Sequence, residues 1–381
     1  VTERQQLLGI LGLIYVSECI RWVRRGGIVF SSAPDPKVWR KSPLLNNGQG
    51  DAYIGWILPP FGEFHVIRGL PFSIHPDGLL TFTAASLHGD GRPVQPATLK
   101  PWSELTKVSA QGERLVSSGQ LLWQCDTPNE AGRLAAEIRA GAALEPHQRT
   151  EWSRKLLESQ FDVSSIRHRL EDSRRKLLRL RHVGSAAWAL MFLAIPAIVW
   201  RWGWTPALGI GLPLLFACSI WLAREVSRLH SEWFPKAGAD RFRLVLLTAL
   251  SPVTAVRAAE ALGRSRFEEF HPAAFAMAAL PKDTAEPLCA TLWRDLKHPR
   301  LPLPALPAAQ LLIESEWRTQ LLGTFQAAAT KDGFDPTRWD APPKKSEANH
   351  ARYCPRCHSQ ATAQATACND CGGIPLAELP V

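Results

Sequence analysis

The stretch from Ser185 to Ala223, SAAWALMFLAIPAIVWRWGWTPALGIGLPLLFACSIWLA, limits what this chain can become more than any other part of it. Two apolar runs, Ser185 to Trp200 and Pro206 to Ala223, are separated only by Arg201-Trp-Gly-Trp-Thr205. Each run is about 16 to 18 residues, and at about 1.5 Å per residue it covers most of a hydrocarbon core. By length and pattern, 185–223 reads as a helical hairpin in a membrane; the competing reading is the central hairpin of a large soluble helical domain. Trp188, Trp200, Trp202, Trp204 and Trp221 fall at or near the ends of the runs, where indole sits among headgroups with its N–H wet. Pro196 and Pro213 lie inside them, which a membrane helix tolerates when a local distortion satisfies the freed carbonyl. Arg174, Arg175, Lys176, Arg179 and Arg181 precede the hairpin and Arg224 and Arg228 follow it, while the turn carries only Arg201. The positive-inside rule then puts both flanks in the cytoplasm, beneath an inner or plasma membrane, and the turn outside.

The rest of the 381-residue chain is mostly soluble in character. Its mean hydropathy of −0.10 excludes a polytopic transporter core. A formal charge of +9 suits anionic lipid or nucleic acid, but the basic flanks of the hairpin account for much of it, so nucleic acid is not required. Cys354, Cys357, Cys368 and Cys371 form one tight set, whereas Cys19, Cys125, Cys218 and Cys289 are scattered singly. That distribution fits a reducing compartment with one metal site rather than a disulfide framework. No cleavable signal peptide is evident.

Residues 5–25 hold LLGILGLIYVSECIRWVRR, about 17 apolar residues interrupted by Ser17 and Glu18. Two readings stand: a first transmembrane helix with its N-terminus outside, or a helix lying in the interface or packed on the hairpin. In either, Glu18 should face a partner helix or a wet cavity. Gly26 to Gly50 reads as a loop. Over 50–141, short β-rich segments alternate with Pro-Asp-Gly, Gly-Asp-Gly and Ser-Gly turns: Tyr53 to Leu58, Glu63 to Ile67, Pro71 to His75, Gly78 to Thr83, Trp102 to Val108, Arg114 to Ser117 and Gln120 to Gln124. Thr127-Pro-Asn-Glu130 then caps a helix whose apolar face is Ala131, Leu134, Ala135 and Ile138.

This run of strands closed by one capped helix resembles a pleckstrin-homology-like (PH-like) domain of the bacterial kind. The Pro-Asp-Gly turn after Phe72-Ser-Ile74, the Pro101-Trp-Ser-Glu-Leu105 strand and the final strand into the helix carry the resemblance. It implies a β-barrel or sandwich that binds lipid headgroups, peptides or proteins. A dense Lys/Arg cluster in an early strand turn is absent, which argues against phosphoinositides and leaves a purely assembling role open.

Residues 147–182 read as one basic helical stalk running into the hairpin. Residues 239–330 read as a cytoplasmic all-α domain, with helices expected near 240–249, 252–263, 271–280, 284–297 and 308–330. Ser251-Pro252 is a helix start, and Asp283 with Glu286 forms a capping-box pattern. The Pro-rich run Pro299 to Pro307 predicts a stiff connector, and 331–352 a flexible linker.

The tail, 353–374, carries the one motif with defined chemistry. Tyr353-Cys-Pro-Arg-Cys-His358 and Cys368-Asn-Asp-Cys-Gly-Gly373 are two Cys-x-x-Cys turns, able to present four thiolates tetrahedrally to one Zn²⁺. The segment resembles the short zinc ribbons at the ends of many prokaryotic membrane and regulatory proteins, with His358 where the first knuckle often has glycine. A rubredoxin-like iron site is the alternative, disfavoured because no aromatic residue lies between the cysteine pairs. His350 and His358 are possible substitute ligands. Four thiolates leave no position for water, so the metal is expected to be structural.

No phosphate loop, dinucleotide fingerprint, His-Glu-x-x-His or Gly-x-Ser-x-Gly elbow is present, and His88 to Arg92 reads as a turn. The sequence therefore predicts a multi-domain membrane protein that is not an enzyme. It would be a membrane-anchored adaptor recruiting a protein partner, or anionic lipid, through its PH-like and helical domains. Two alternatives follow from other features: nucleic-acid binding by the ribbon with Lys344-Lys345, and an enzyme site in the β-domain.

Overall fold

A computed structural model of the chain describes residues 2–23, 27–32, 36–39, 51–54, 62–70, 72–81, 98–125, 127–235, 237–299 and 308–380. Within them the architecture is mixed α/β, dominated by helix, with several small sheets. Two compact units divide it: Val1–Val66 with Thr127–Asn129 and Arg169–Glu268, and Ile67–Asp126 with Glu130–His168 and Glu269–Val381. The division cuts through three segments expected as single domains, 50–141, 147–182 and 239–330. The connector 300–307 and the turn 88–92, like residues 55–58 and most of 26–50, lie outside the described residues.

The first unit is built on two long helices. Val163–Trp202 is continuous over 40 residues, and Trp204–Trp233 returns over 30 after a turn at Gly203, whose φ of 82° no β-branched residue would adopt readily. Both are long and apolar enough to cross a membrane, and only 22% and 35% of their apolar windows are buried. Each internal proline follows a π-helical turn, Leu190–Ala194 before Pro196 and Ala207–Gly211 before Pro213. The widened turn moves the carbonyl that the pyrrolidine ring would strike, which is how a proline is kept inside a long helix. The expected stalk differs from prediction: Pro146–Gln160 ends at Phe161, and a new helix starts at Val163. Asp162 accepts from the Ser165 N–H at 3.0 Å and is the start signal for that second helix.

Glu3–Cys19 packs along the first long helix. Tyr15 meets Trp188 and Phe192 edge-on, with centroids 6.5 and 5.7 Å apart, and the Arg4 guanidinium lies 5.5 Å over Trp200. The two run antiparallel, as either a spanning helix with its N-terminus outside or a helix packed on the hairpin would. Glu18 does face a partner element: its Oε2 lies 3.2 Å from Nε of Arg257. Outward, Leu8, Ile10, Leu13 and Val16 are exposed.

Beneath the apolar windows, Leu177 and Leu180 pack with Leu222, Val226, Leu229, Ala255, Ala258 and Leu262. The strand Glu63–Ile67, hydrogen-bonded to Ile28–Ser32, adds a charged cluster here. Glu63 pairs with Arg174 at 3.0 Å and with Arg181 at 3.1 Å. His65 is enclosed and meets Phe267 edge-on at 5.0 Å. Burial pushes the His65 imidazole down to about 4. The unfolded chain therefore takes up a proton near pH 6.5 that the folded one refuses until about pH 4, so stability falls between these values as pH drops. The loss should reach about 3 kcal/mol at most, read as a falling Tm of the detergent-solubilised chain, and His65→Leu should flatten it. A variant with an unchanged slope between pH 6.5 and 4.5 would refute the assignment; the paired Glu63 carboxylate, whose ordinary value is 4.5, acts at lower pH.

In the second unit the strands between Phe72 and Gln124 form two three-stranded antiparallel meanders. Phe72–His75, Gly78–Thr81 and Thr98–Pro101 make one, and Val108–Gln111, Arg114–Ser117 and Gln120–Gln124 the other. Among the described residues no closed PH-like barrel is shown. The expected strand Trp102 to Val108 begins instead as a helical turn, Trp102–Leu105, because the Trp102 indole N–H donates to the His75 carbonyl at 2.8 Å and its ring is buried. The closing helix is present as Pro128–Ala142, and all four residues of its predicted apolar face are buried. Thr127, however, donates its hydroxyl to Glu268 at 2.6 Å.

The helices expected in the C-terminal half appear within a few residues of prediction, except that 252–263 divides into Pro252–Val256 and Ala258–Ser265. Ser251 caps as expected, accepting from the Thr254 N–H at 3.3 Å. The helix Lys282–Lys297 starts instead after Pro281 and uses no side-chain cap, so the Asp283 and Glu286 capping box does not form. An aromatic cluster centres the second unit: Phe325 stacks on Phe161 at 5.5 Å and touches His271, Trp293 and Trp339.

Candidate metal centre

Short strands aim the two cysteine pairs at one point. His350–Tyr353 pairs with Gln360–Thr362 and with Ala377–Glu378, and delivers Cys354 at its end. Ala367–Cys368 pairs with Ile374–Pro375 and delivers Cys368. In each knuckle a backbone bond closes the turn over its first cysteine, His358 N–H to Cys354 O at 2.9 Å and Gly373 N–H to Cys368 O at 2.8 Å. Both turns need a left-handed residue: Gly372, φ 75°, in the second, and His358, φ 62°, in the first. Histidine tolerates this region better than most side chains, and the Tyr353 ring, 5.7 Å away edge-on, covers it.

The four thiols of Cys354, Cys357, Cys368 and Cys371 all lie within 4.8 Å of one another, close enough to hold a metal ion. Cys357 Sγ and Cys368 Sγ are 3.7 Å apart. A tetrahedral ion with bonds of about 2.3 Å to sulfur requires edges of about 3.8 Å, so the donor set fits Zn²⁺ in spacing as well as in chemistry. A disulfide would need about 2.05 Å. Cys354, Cys368 and Cys371 are buried with Ile374, and the partly buried Leu376 packs against them, while Cys357 is exposed. Burial pushes the Cys354 thiol up to about 11 and raises Cys371 as well. For Cys357 its partial desolvation acts in the same direction but is outweighed by hydrogen bonding with Ser359, and its value falls below the ordinary one. Neither histidine joins the set: His350 Nδ1 contacts Ser346 Oγ at 3.0 Å, and His358 sits against Tyr353.

The ribbon is fastened to the helical part of its own unit by residues that sequence reasoning missed. Arg356, between the cysteines of the first knuckle, is 5% exposed, and its Nε donates to Asp295 Oδ1 at 3.1 Å. Arg294 Nε donates to the Arg356 carbonyl at 3.3 Å and its Nη1 to the Trp339 carbonyl at 3.1 Å. Nor is 331–352 the expected loose tether throughout. Phe334 and Trp339 are buried, Trp293 Nε1 donates to Asp340 at 3.0 Å, and Pro336–Asp340 is a 3-10 turn capped by Asp335. The two large aromatics in a supposed linker were the available signal, since a solvated tether has no use for them.

The chain matches no protein-family model, no curated protein and no solved structure.

Proposed function

We propose that this protein is a membrane-anchored adaptor, not an enzyme, in which a structural zinc ribbon completes a cytoplasmic surface that holds a protein partner at the inner or plasma membrane. The observation that carries the reading is the outward face of the two long helices. Leu193, Trp200, Trp202, Ile210, Leu214 and Ile220 are 52–65% exposed, a surface that water would not tolerate over such a length. In a soluble hairpin these side chains would be enclosed. Tryptophans concentrate at the turn and arginines at the opposite end, as interfacial anchoring and the positive-inside rule require. A closed four-thiolate donor set supports a structural role for the metal, with zinc favoured over iron.

On this reading, 50–141 supplies a PH-like module for the partner or for anionic lipid. The two meanders and the closing helix support it. The ribbon is poorly disposed toward nucleic acid, because Arg356 is engaged with Asp295 and Arg352 Nη1 donates to the Ala365 carbonyl at 3.0 Å.

Two measurements test this in a bacterial host. The full chain should stay with the membrane after alkaline extraction, and a Thr205→Cys thiol, exposed in the turn, should react with an impermeant maleimide in intact cells while the tail set stays protected. Cross-linking in those cells should then join one protein to the intact chain and not to a chain ending before Tyr353. A water-soluble monomer, or a cross-linked pattern unchanged by removing the tail, would defeat the proposal.

A further inference from the structure

The helix Gly238–Leu250 carries an apolar face that the first unit does not use. Its inner side packs Leu244 and Val245 on the cluster of Leu222, Val226 and Leu229, with Thr248 fully buried. Its outer side is not polar in compensation: Phe242 and Leu250 are 70% and 67% exposed, and Leu246 and Leu247 lie between them at 44% and 45%. From Leu244 on, apart from the enclosed Thr248, the helix is apolar all round, a pattern found in helices surrounded by core or by lipid.

Its direction adds a second observation. Near the start, Arg241 Nη1 donates to Ser231 Oγ at 2.6 Å, late in the return helix Leu212–Trp233. Just past the end, Val253 and Val256 pack with Ala187, Met191 and Leu215, inside the apolar windows of both long helices. The segment thus climbs about 20 Å alongside the return helix, from its polar end into its apolar part. Its outer face changes in step, with exposed Arg241 and Arg243 first and Leu246, Leu247 and Leu250 after. At the summit the polar groups are satisfied internally: Thr248 Oγ1 donates to the Leu244 carbonyl at 2.7 Å, the Ser251 N–H to the Leu247 carbonyl at 2.9 Å, and Ser251 Oγ accepts from Thr254. Hydrocarbon demands that economy and water does not. Directly after Val256 the chain regains charge at Arg257, in its pair with Glu18.

We infer that Gly238–Leu250 and the turn to Pro252–Val256 form a re-entrant wedge, inserted into one leaflet beside the hairpin, with acyl chains against Phe242, Leu246 and Leu250 and anionic headgroups at Arg241 and Arg243. The inference rests on the hairpin spanning the bilayer. The exposed apolar residues Leu214, Ile220 and Trp221 on the return helix against which this segment packs, and the match of the arginines to lipid phosphate, single out a bilayer over a protein as the occupant. This segment was expected to belong wholly to a cytoplasmic domain.

The test is spin-label accessibility in the full, zinc-loaded chain, with Cys19, Cys125, Cys218 and Cys289 replaced by alanine. Single labels go at Arg243→Cys, Leu246→Cys and Leu250→Cys, in vesicles of phosphatidylcholine with a minority of phosphatidylglycerol. Collisions with oxygen relative to a water-soluble nickel complex should rise from 243 to 246 to 250, by several-fold across the series. Labels at Leu193→Cys and Ile210→Cys report the hairpin separately. Lipid-like values there with a nickel-accessible 250 overturn the wedge alone, and a label at 250 sheltered from both reagents shows a protein covering the face and overturns it equally. Water-like values at 193 and 210 remove the spanning hairpin and the wedge with it.

Discussion

A Cys354→Ser chain should purify without stoichiometric metal and with the segment from His350 to Leu379 unfolded. The ribbon has little else to hold it, since its buried apolar side chains are Tyr353, Cys354, Cys368, Cys371, Ile374 and Leu379, with Leu376 partly buried beside them. Metal binding in such small sites contributes about 10–16 kcal/mol at neutral pH, far above what so few side chains supply by burial. Metal analysis should find one zinc per intact chain and none per variant. Amide exchange should lose protection at Tyr353, Ala361 and Cys368, and also in Lys282–Lys297, which holds Asp295 and Arg294 against the first knuckle. Cys289→Ser is the control, because that thiol is buried beside the Ala273 carbonyl, 3.7 Å away, and belongs to no metal set. Acidity supplies a second readout. Zinc binds thiolates, and burial raises the Cys354 and Cys371 thiols, so an incoming ion must displace their protons. Loading should release about three to four protons per zinc, seen as a buffer-dependent calorimetric enthalpy, and affinity should weaken as pH falls. A serine variant that keeps its zinc, or loading that releases no protons, would end this account of the tail.

What could be read from the chain was what short-range periodicity encodes. The hairpin, the helix positions in the C-terminal half, the Ser251 cap and the cysteine set all follow from residues within a few positions of one another. The failures share a different cause. Trp102 sits in a segment with strand composition, yet its indole reaches back to the His75 carbonyl and sets a helical turn there. Phe161-Asp162 breaks what charge and apolar spacing presented as one stalk, through a cap carried by a single aspartate. Trp339 and Arg356 are partners of residues 46 and 61 positions earlier by their sequence numbers, Trp293 and Asp295, and nothing local announces such pairings. The apolar outer face of Gly238–Leu250 was present in the sequence, but the same residues fit a buried helix, and only exposure distinguishes the two cases.

Asp295→Ala should be the most damaging substitution outside the metal ligands. Asp295 and Arg356 are 6% and 5% exposed, and the alanine variant leaves a guanidinium enclosed with its carboxylate gone. Removing one partner of such a pair typically costs about 3–5 kcal/mol, most of it the penalty of an uncompensated buried charge. The direction of relief distinguishes that cause from a general packing defect. Replacing both residues by apolar ones, Asp295→Leu with Arg356→Met, removes the charge together with its partner and should restore most of the loss. Zinc content should stay at one per chain in both variants, because no ligand is touched, while the Asp295→Ala ribbon undocks. Trypsin should then cut at Lys344, Lys345 and Arg352 faster than in the parent and slower again in the double variant. If the single variant loses less than about 1 kcal/mol in chemical denaturation, the pair carries no more than an exposed ion pair does and the ribbon must be held by its other contacts. If single and double variants lose equally, shape and not charge fastens Arg356, and the contribution passes to Arg294, whose bonds to the Arg356 and Trp339 carbonyls survive both changes.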